Sequence, residues 1–343
     1  MDDFDPAALH VGLAHGNGGR LMRGLITNLF RPHLGNPALD TEADAAPITL
    51  PPGEIVVTTD GFTVQPLQFP GGDIGALAID GTVNDLAVSG ARPLYVTLSM
   101  FIEEGLPMAL LETIVTSLGT AADAAGVKVV AGDTKVVPRG QGGGLYLALT
   151  GIGVRPLGCT LGMAAIRSGD VVLLSGPVGD HGIAVMLARE AFGLRGDLKS
   201  DAASVLPLTQ ALLPLPGLRF MRDPTRGGLA TVAHEIARGT HRRVNLDEGM
   251  IPISPATASV CAMLGYDPLY LASEGRVVAV IAPEQATTAL AAWRALPQGG
   301  AAAIIGRIAD PAGLDDPAVM LHTRIGGARI LAELEADPLP RIC

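Results

Sequence analysis

Two hydrophobic periods take turns along this chain, one of about two residues and one of about 3.6. Glu54 to Thr59 is a β-branched run that predicts a strand giving way to a turn at Asp60-Gly61. Pro70-Gly71-Gly72-Asp73 predicts a helix start with Asp73 as the N-cap, and Ile74, Leu77, Ile79 and Leu86 carry that helix to about Ser89. Arg92 to Met100 reads as a strand, and Pro107 to Ala125 as a helix with Leu110, Leu111, Ile114, Val115 and Leu118 on its inner face. Lys128 to Ala131 predicts a short strand entering the loop Gly132-Asp133-Thr134-Lys135, and Leu145 to Ile152 a further strand.

Arg155-Pro156-Leu157-Gly158 reads as a linker, after which the pattern restarts. Strands are expected at Asp170 to Leu174, Val277 to Ile281, Ala303 to Ile308 and Val319 to His322. Helices are expected at Ile183 to Glu190, with His181 just ahead, at Ser204 to Leu213, after Gly228 as far as Arg238, at Ser254 to Leu264 and at Pro283 to Leu296. Strands alternate with helices in each half, so the fold class is α/β with two domains. The expected organisation is a mobile segment over 1–40 with a glycine-rich loop, a domain over 41–155, a second over 156–335, and a mobile tail over 336–343.

Composition narrows the picture. The 343 residues suffice for two cores, and with 48% hydrophobic residues but 3% aromatics the interior is aliphatic. A net charge of −10 speaks against nucleic acid or an anionic membrane as the main partner. No apolar run reaches the roughly 18 residues of a membrane span, and the start, Met1-Asp2-Asp3, is acidic where a signal peptide would be basic. Cys159, Cys261 and Cys343 have no metal-type spacing and are odd in number, which fits free thiols in the cytoplasm.

Candidate chemistry gathers at the ends of these elements. His15-Gly16-Asn17-Gly18-Gly19 can lay backbone N–H groups against phosphate, with a surface turn as the alternative. Asp80, Asn84 and Asp85 sit inside an apolar helix, where a carboxylate is costly unless paired, metal-bound or, as Asp80 could be, solvated. In Gly132-Asp133-Thr134-Lys135 the acid can hold a cation while the lysine meets the phosphate that the cation bridges; an ordinary polar loop is the alternative. Arg222-Asp223-Pro224-Thr225-Arg226-Gly227-Gly228 suits a polyanion or its metal, or is a capped helix start. Glu274, among small and apolar residues, is either a desolvated base or the partner of Arg276. His181 is a cap or a minor catalytic candidate. Cys343 carries a thiol on the last residue, on an arm long enough to visit two sites.

In order along the chain, HGNGG, VVTTDGF, FPGGDIG, GTVNDLAVSGA, AGDTKVVPRG, GDHGIA, MRDPTRGGLA, DPLYLASEGR, AIIGR and the final PRIC resemble the HypE family of hydrogenase maturation factors, the carbamoyl dehydratases. That family lies within the aminoimidazole ribonucleotide synthetase-like (PurM-like) superfamily. GDTKVV and PRIC are the specific motifs, whereas the aspartates are shared across the superfamily. Asp80 departs from the family pattern, which has a small residue or cysteine there, and so is not expected to be essential.

The resemblance implies a two-domain PurM-like fold whose N-terminal sheet forms a barrel across a homodimer, with ATP near that interface. It implies that a HypF-like carbamoyltransferase loads Cys343, that ATP drives dehydration of the S-carboxamide to a thiocyanate, and that cyanide passes to iron on a HypC-HypD-like scaffold for NiFe hydrogenase. Asp60, Asp85, Asp133 and Asp223 match positions that hold Mg2+ and ATP phosphates, with Asp73 and Asn84 close by. Gly18 and Gly19 would fold over the nucleotide, Lys135 would neutralise phosphate, Glu274 would be the base, and Cys343 would carry the substrate. The competing readings are another ATP enzyme of the superfamily, which does not require PRIC, and a non-catalytic carrier, which needs no nucleotide site.

Overall fold

The long alternating runs of the N-terminal half become the strands of a single ladder. The structure, a computed structural model, describes residues 9–189, 197–310 and 318–335. Among these, β1 (Glu54–Phe62), the short pair β2 (Gln68–Phe69) and β3 (Gly72–Asp73), β4 (Arg92–Glu103), β5 (Lys128–Val137) and β6 (Leu145–Arg155) belong to the first half. The four long strands are ordered β1-β6-β4-β5, with β6 antiparallel to both neighbours and β4 parallel to β5. Alternation splits the sheet into two faces. Val96, Leu98, Met100, Leu145, Leu147 and Leu149 are buried on one, while Ile55, Val57 and Phe101 are exposed on the other.

The buried face is covered by helices. The N-terminal helical run is α1 (Arg20–Leu25), a π-turn over Ile26–Phe30 and α2 (Arg31–Leu34). Pro32 follows the π-turn after Arg31, and its ring nitrogen cannot donate to the carbonyl four residues back. This run falls in the segment expected to be mobile, yet it buries Leu25, Leu29 and Leu34. Next come α3 (Ile74–Val88) and α4 (Met108–Ala125). Gly151 lets α3 lie on β6, because a Cβ there would fall 2.7 Å from the Thr82 side chain and 3.0 Å from Leu86.

The chain divides into two compact units. One takes the described residues through Leu86 together with Ala91–Leu157; the other is Ala87–Gly90 and the described residues from Gly158. The second unit contains β7 (Val171–Leu174), α5 (Asp180–Arg189), α6 (Leu206–Leu212), β8 (Leu218–Arg222), α7 (Gly228–Thr240), β9 (Arg243–Asp247) and α8 (Pro255–Leu264). β10 (Val278–Ile281), α9 (Ala286–Arg294), β11 (Ala303–Ala309), β12 (Val319–His322) and β13 (Ala328–Ile330) follow. Seven described strands form one sheet in the order β13-β12-β9-β11-β7-β10-β8. β7 and β10 are buried on both faces, which is why they read as continuous apolar runs. Val172, Leu174, Val278 and Val280 join a core with Leu229, Val232 and Ile236 of α7. Val171, Leu173, Ala279 and Ile281 face the opposite core with Leu208, Leu212 and Trp293.

Local signals misplace several boundaries. β1 runs through Asp60-Gly61 because β6 supplies partners as far as Phe62, opposite Leu147. β5 runs through Gly132–Lys135 because β4 pairs with it out to Val137. Asp60, Asp133 and Lys135 are therefore strand residues, where turn and loop positions were expected. His181 lies in the first turn of α5 and not ahead of it. β8, β9 and β13 escape the sequence reading because each is short and carries charged or polar residues between its apolar ones.

Gly119 of α4 lies against α2, where an added Cβ would fall 2.2 Å from the His33 carbonyl oxygen. Alanine there gains about 1 kcal/mol in helix propensity, but overpacking against backbone costs about 1–3 kcal/mol. Gly119→Ala is expected to lower the thermal midpoint and to speed proteolysis within residues 20–34; an unchanged or raised midpoint would contradict this packing.

Candidate active site

Three of the acids expected from sequence sit on or under α3. Asp73 is its N-cap: its Oδ1 accepts the N–H groups of Gly75 at 2.8 Å and Ala76 at 3.0 Å. Burial pushes its carboxyl up, against the pull of these N–H groups and the Ser117 hydroxyl. One oxygen of Asp73 is thus already committed to the helix start. Asn84 is fully buried, and Asp85 accepts the Thr58 hydroxyl of β1 at 2.7 Å on Oδ2. Thr58 and Asp60 are two apart on β1 and share the face that meets α3, so Asp60 and Asp85 lie on one side of the sheet.

Asp133 does not join them. Gly61, Ala148, Ser99 and Asp133 form one row across the ladder, which spans three interstrand spacings, about 14 Å. Thr134 is buried, and alternation turns Asp133 and Lys135 to the opposite, exposed face. Lys135 Nζ lies 2.9 Å from Asp133 Oδ2, both side chains being more than half exposed at 57% and 54%. Such a pair stabilises by less than about 1 kcal/mol, so little holds Lys135 to Asp133.

The glycine-rich loop reaches this same strand. Gly16 packs so closely on β5 that a Cβ would fall 2.7 Å from the Val136 backbone nitrogen. Gly19 is the N-cap of α1 and donates to Asn17 Oδ1 at 2.9 Å; Gly18 takes a positive φ of 75°. A cavity of about 180 Å³ opens beside Asp133, walled by Met22, Ile26, Phe30 and Leu39, with Asp40 and Thr41 on its polar side. An apolar wall with a few polar groups at its rim suits a flat heterocycle.

The second unit holds its own cluster. Gly228 allows the MRDPTRGG turn to press on the DPLYLASEGR segment, since a Cβ would lie 2.6 Å from both the Leu269 and Leu271 carbonyl oxygens. The Ser273 N–H donates to Pro224 O at 3.0 Å. Asp223 and Glu274, both buried, are thereby brought into neighbouring turns. Arg276 is held by Asp201 at 3.1 Å. His181 is fully buried with Nδ1 2.8 Å from Ser200 Oγ, and Asp180 accepts the hydroxyls of Ser254 and Thr257, each at 2.6 Å. Asp180, Asp201 and Thr58 escaped the sequence reading, because only their partners, remote in the chain, single them out.

Of the cysteines, Cys261 is buried, its thiol pushed up to about 11 by burial and then by Asp267, which makes it a poor nucleophile. Cys159 is half-buried, and Cys343 lies outside the described residues. Among the described residues no three His, Cys, Asp or Glu gather closely enough to hold a metal by themselves. Mg2+ needs less than that, one or two carboxylates plus substrate phosphates. Asp60 and Asp85, hard oxygen donors on a shared face, fit that demand.

Residues 42–155 match the family model "AIR synthase related protein, N-terminal domain", and residues 167–315 the corresponding C-terminal domain. The chain is 45% identical to carbamoyl dehydratase HypE of Rhizobium leguminosarum bv. viciae, over 99% of this chain and 97% of that protein. Its structure is similar to a crystal structure of HypE in complex with ATP, with a TM-score of 0.92 and 42% identity over 97% of this chain and 99% of the other. It is also similar to HypE in a HypE-HypF complex, with a TM-score of 0.77 and 41% identity over 89% and 98% of the two chains.

Asp80, half-buried on α3, has its carboxyl pushed up to about 7 by burial. Between an unfolded value near 3.9 and about 7, the folded chain binds more protons, so stability falls as pH rises through this window. Asp80→Asn removes that slope. Its unfolding free energy relative to wild type is expected to rise from pH 4 to pH 8, by on the order of 1 kcal/mol or more; a pH-independent difference would refute the burial cost.

Proposed function

The chain belongs to the HypE family of carbamoyl dehydratases, and from that membership we propose that it converts an S-carboxamide on Cys343 to a thiocyanate with ATP. The cyanide so formed becomes an iron ligand of NiFe hydrogenase during maturation. The observation that carries the reading is the packing of the glycine-rich loop on the strand that bears Asp133 and Lys135, at Gly16 and Val136. Two motifs remote in sequence meet there, a glycine-rich backbone on Val136 and, at the preceding residue of the same strand, the lightly paired Lys135, which a passive carrier of Cys343 would not need.

The chemistry divides among the residues. An amide oxygen is a poor leaving group, so phosphoryl transfer from ATP to the carbamoyl oxygen must come first. Lys135 then offsets the charge on that phosphate. Glu274 takes one N–H proton as the oxygen is phosphorylated, leaving an O-phosphorylated imidate; the C–O bond then breaks, phosphate leaves with the oxygen and carries off the second N–H proton, and the carbon–nitrogen bond becomes triple. The products are the thiocyanate, ADP and phosphate. Gly18 and Gly19 lie along the phosphates, and the apolar cavity beside Asp133 takes the base. Mg2+, when bound with the nucleotide, would supply further neutralisation of the phosphates, with Asp60 and Asp85 as its holders.

The partners belong to the same proposal. Likeness to HypE in a HypE-HypF complex supports a HypF-like carbamoyltransferase as the loader of Cys343, with a HypC-HypD-like scaffold receiving the cyanide. A homodimer is supported by the outer face of the four-stranded sheet, where Ile55 and Val57 are 58% and 60% exposed. The ATP-binding and dimerisation domain would be 41–155, and the cytoplasm the compartment, consistent with free Cys159 and Cys261.

Cys343→Ala is expected to bind ATP normally but to form no thiocyanate after exposure to carbamoyl donor and partner, as read by intact mass. Lys135→Ala and Glu274→Ala should gain the carbamoyl group and then lose water on the order of 10²-fold more slowly. Wild-type rates of water loss in either would remove that residue from the mechanism. Val57→Asp should shift sedimentation from dimer to monomer; an unshifted dimer would place the interface elsewhere.

A further inference from the structure

Asp201 has no part in the reaction as set out above, yet it is among the most enclosed acids of the second unit, with a side chain only 1% exposed. Its Oδ1 accepts the Glu274 peptide N–H at 3.2 Å, and its Oδ2 lies 3.1 Å from Arg276 Nε. One carboxylate therefore grips the residues on both sides of Gly275. Gly275 leaves no slack, because a Cβ there would fall 1.9 Å from the Asp201 carbonyl oxygen. Arg276 is itself anchored, donating to Pro177 O at 2.9 Å and Gln298 O at 3.3 Å. On the other side of Glu274, Ser273 donates its N–H to Pro224 O and accepts the Gly179 N–H at 2.9 Å.

Packing does not explain this arrangement. Ser200, Asp201, Ala202, Gly275, Arg276 and Gln298 border a cavity of about 410 Å³, so no filled core holds the loop from that side. Burying a carboxylate is costly unless it is paired. Burial pushes Asp201 up to about 6, with Arg276 and the Glu274 N–H pulling down and Asp180 pushing up. At neutral pH the pair with Arg276 is chiefly ionic, and its directional contact is with the Glu274 peptide.

We propose that Asp201 is the positioning residue for Glu274, fixing the backbone from which that base works through the Glu274 N–H and through Arg276, without touching substrate. The inference rests on the dehydratase reading and on Glu274 as its base. A shift of about 1 Å in a catalytic group can cost on the order of 10²-fold in rate, so the clamp has a measurable effect on catalysis.

The test uses full-length chain loaded with the carbamoyl group, comparing Asp201→Ala, which loses both contacts, with Asp201→Asn, which keeps an acceptor for the Glu274 N–H. Asp201→Ala is expected to lose water on the order of 10²-fold more slowly at unchanged KM for ATP, and Asp201→Asn to recover to within about tenfold of wild type. Amide exchange over residues 271–276 should accelerate in Asp201→Ala and much less in Asp201→Asn. Wild-type dehydration by Asp201→Ala, a loss expressed in KM for ATP, or equal slowing in both variants with unchanged exchange would overturn the assignment. If wild type itself retains the carbamoyl group, the dehydratase reading fails, and the exchange comparison alone judges whether Asp201 holds the Glu274 backbone.

Discussion

The ladder β1-β6-β4-β5 is the constraint on which the N-terminal chemistry depends. Its register is continuous from Glu54 opposite Arg155 to Phe62 opposite Leu147, and beyond irregularities at Pro93/Tyr95 and Val96/Thr97 it carries on across β4 to β5. Side chains alternate with a period of two, so a one-residue slip would exchange the faces of every acid in the sheet. That ladder turns Asp60 toward α3 with Thr58 and Asp85, and turns Asp133 and Lys135 away from it. The buried Leu98, Met100, Leu147 and Leu149 hold the register, because slipping them would put apolar surface in water at about 25 cal/mol per Å².

The second unit solves a different problem, that of holding buried carboxylates. Asp180, Asp201, Asp223 and Glu274 all have side chains largely withdrawn from solvent. Asp180 is answered by two hydroxyls and Asp201 by a guanidinium and a peptide N–H. Gly228 and Gly275 make the close backbone approaches that let these partners meet. The doubly covered strands β7 and β10 supply a rigid base for those turns, since Arg222 and Val278 pair directly ahead of the MRDPTRGG turn and behind the SEGR one. Rigidity beneath and polar clamps above suit the general base proposed at Glu274.

Membership in the carbamoyl dehydratase family gives these features a common purpose. Making a thiocyanate from an amide calls for charge neutralisation at a phosphate and for a base at the nitrogen. In the proposed reaction the first falls to a loosely held, exposed group, Lys135, which can change partners. The second falls to Glu274, which is buried and whose backbone is tightly held. The contrast in exposure between the two follows from what each has to do.

Much of this was legible in the sequence. Long periodic segments announced their helices and strands, Asp73 announced its helix as an N-cap, and side-chain chemistry singled out Asp85, Lys135 and Glu274 as candidates. These signals are local: a period, a cap, or a side chain whose chemistry has few substitutes. What tertiary structure alone decided depends on partners far away in the chain. β6 carries β1 through a turn-forming Asp60-Gly61, β4 draws the GDTK stretch into a strand, and the sheet's rows set Asp133 apart from Asp60. Asp201 is an ordinary acid in a polar stretch until folding sets it against Glu274, 73 residues on, because a buried charge acquires its meaning only from the groups that surround it.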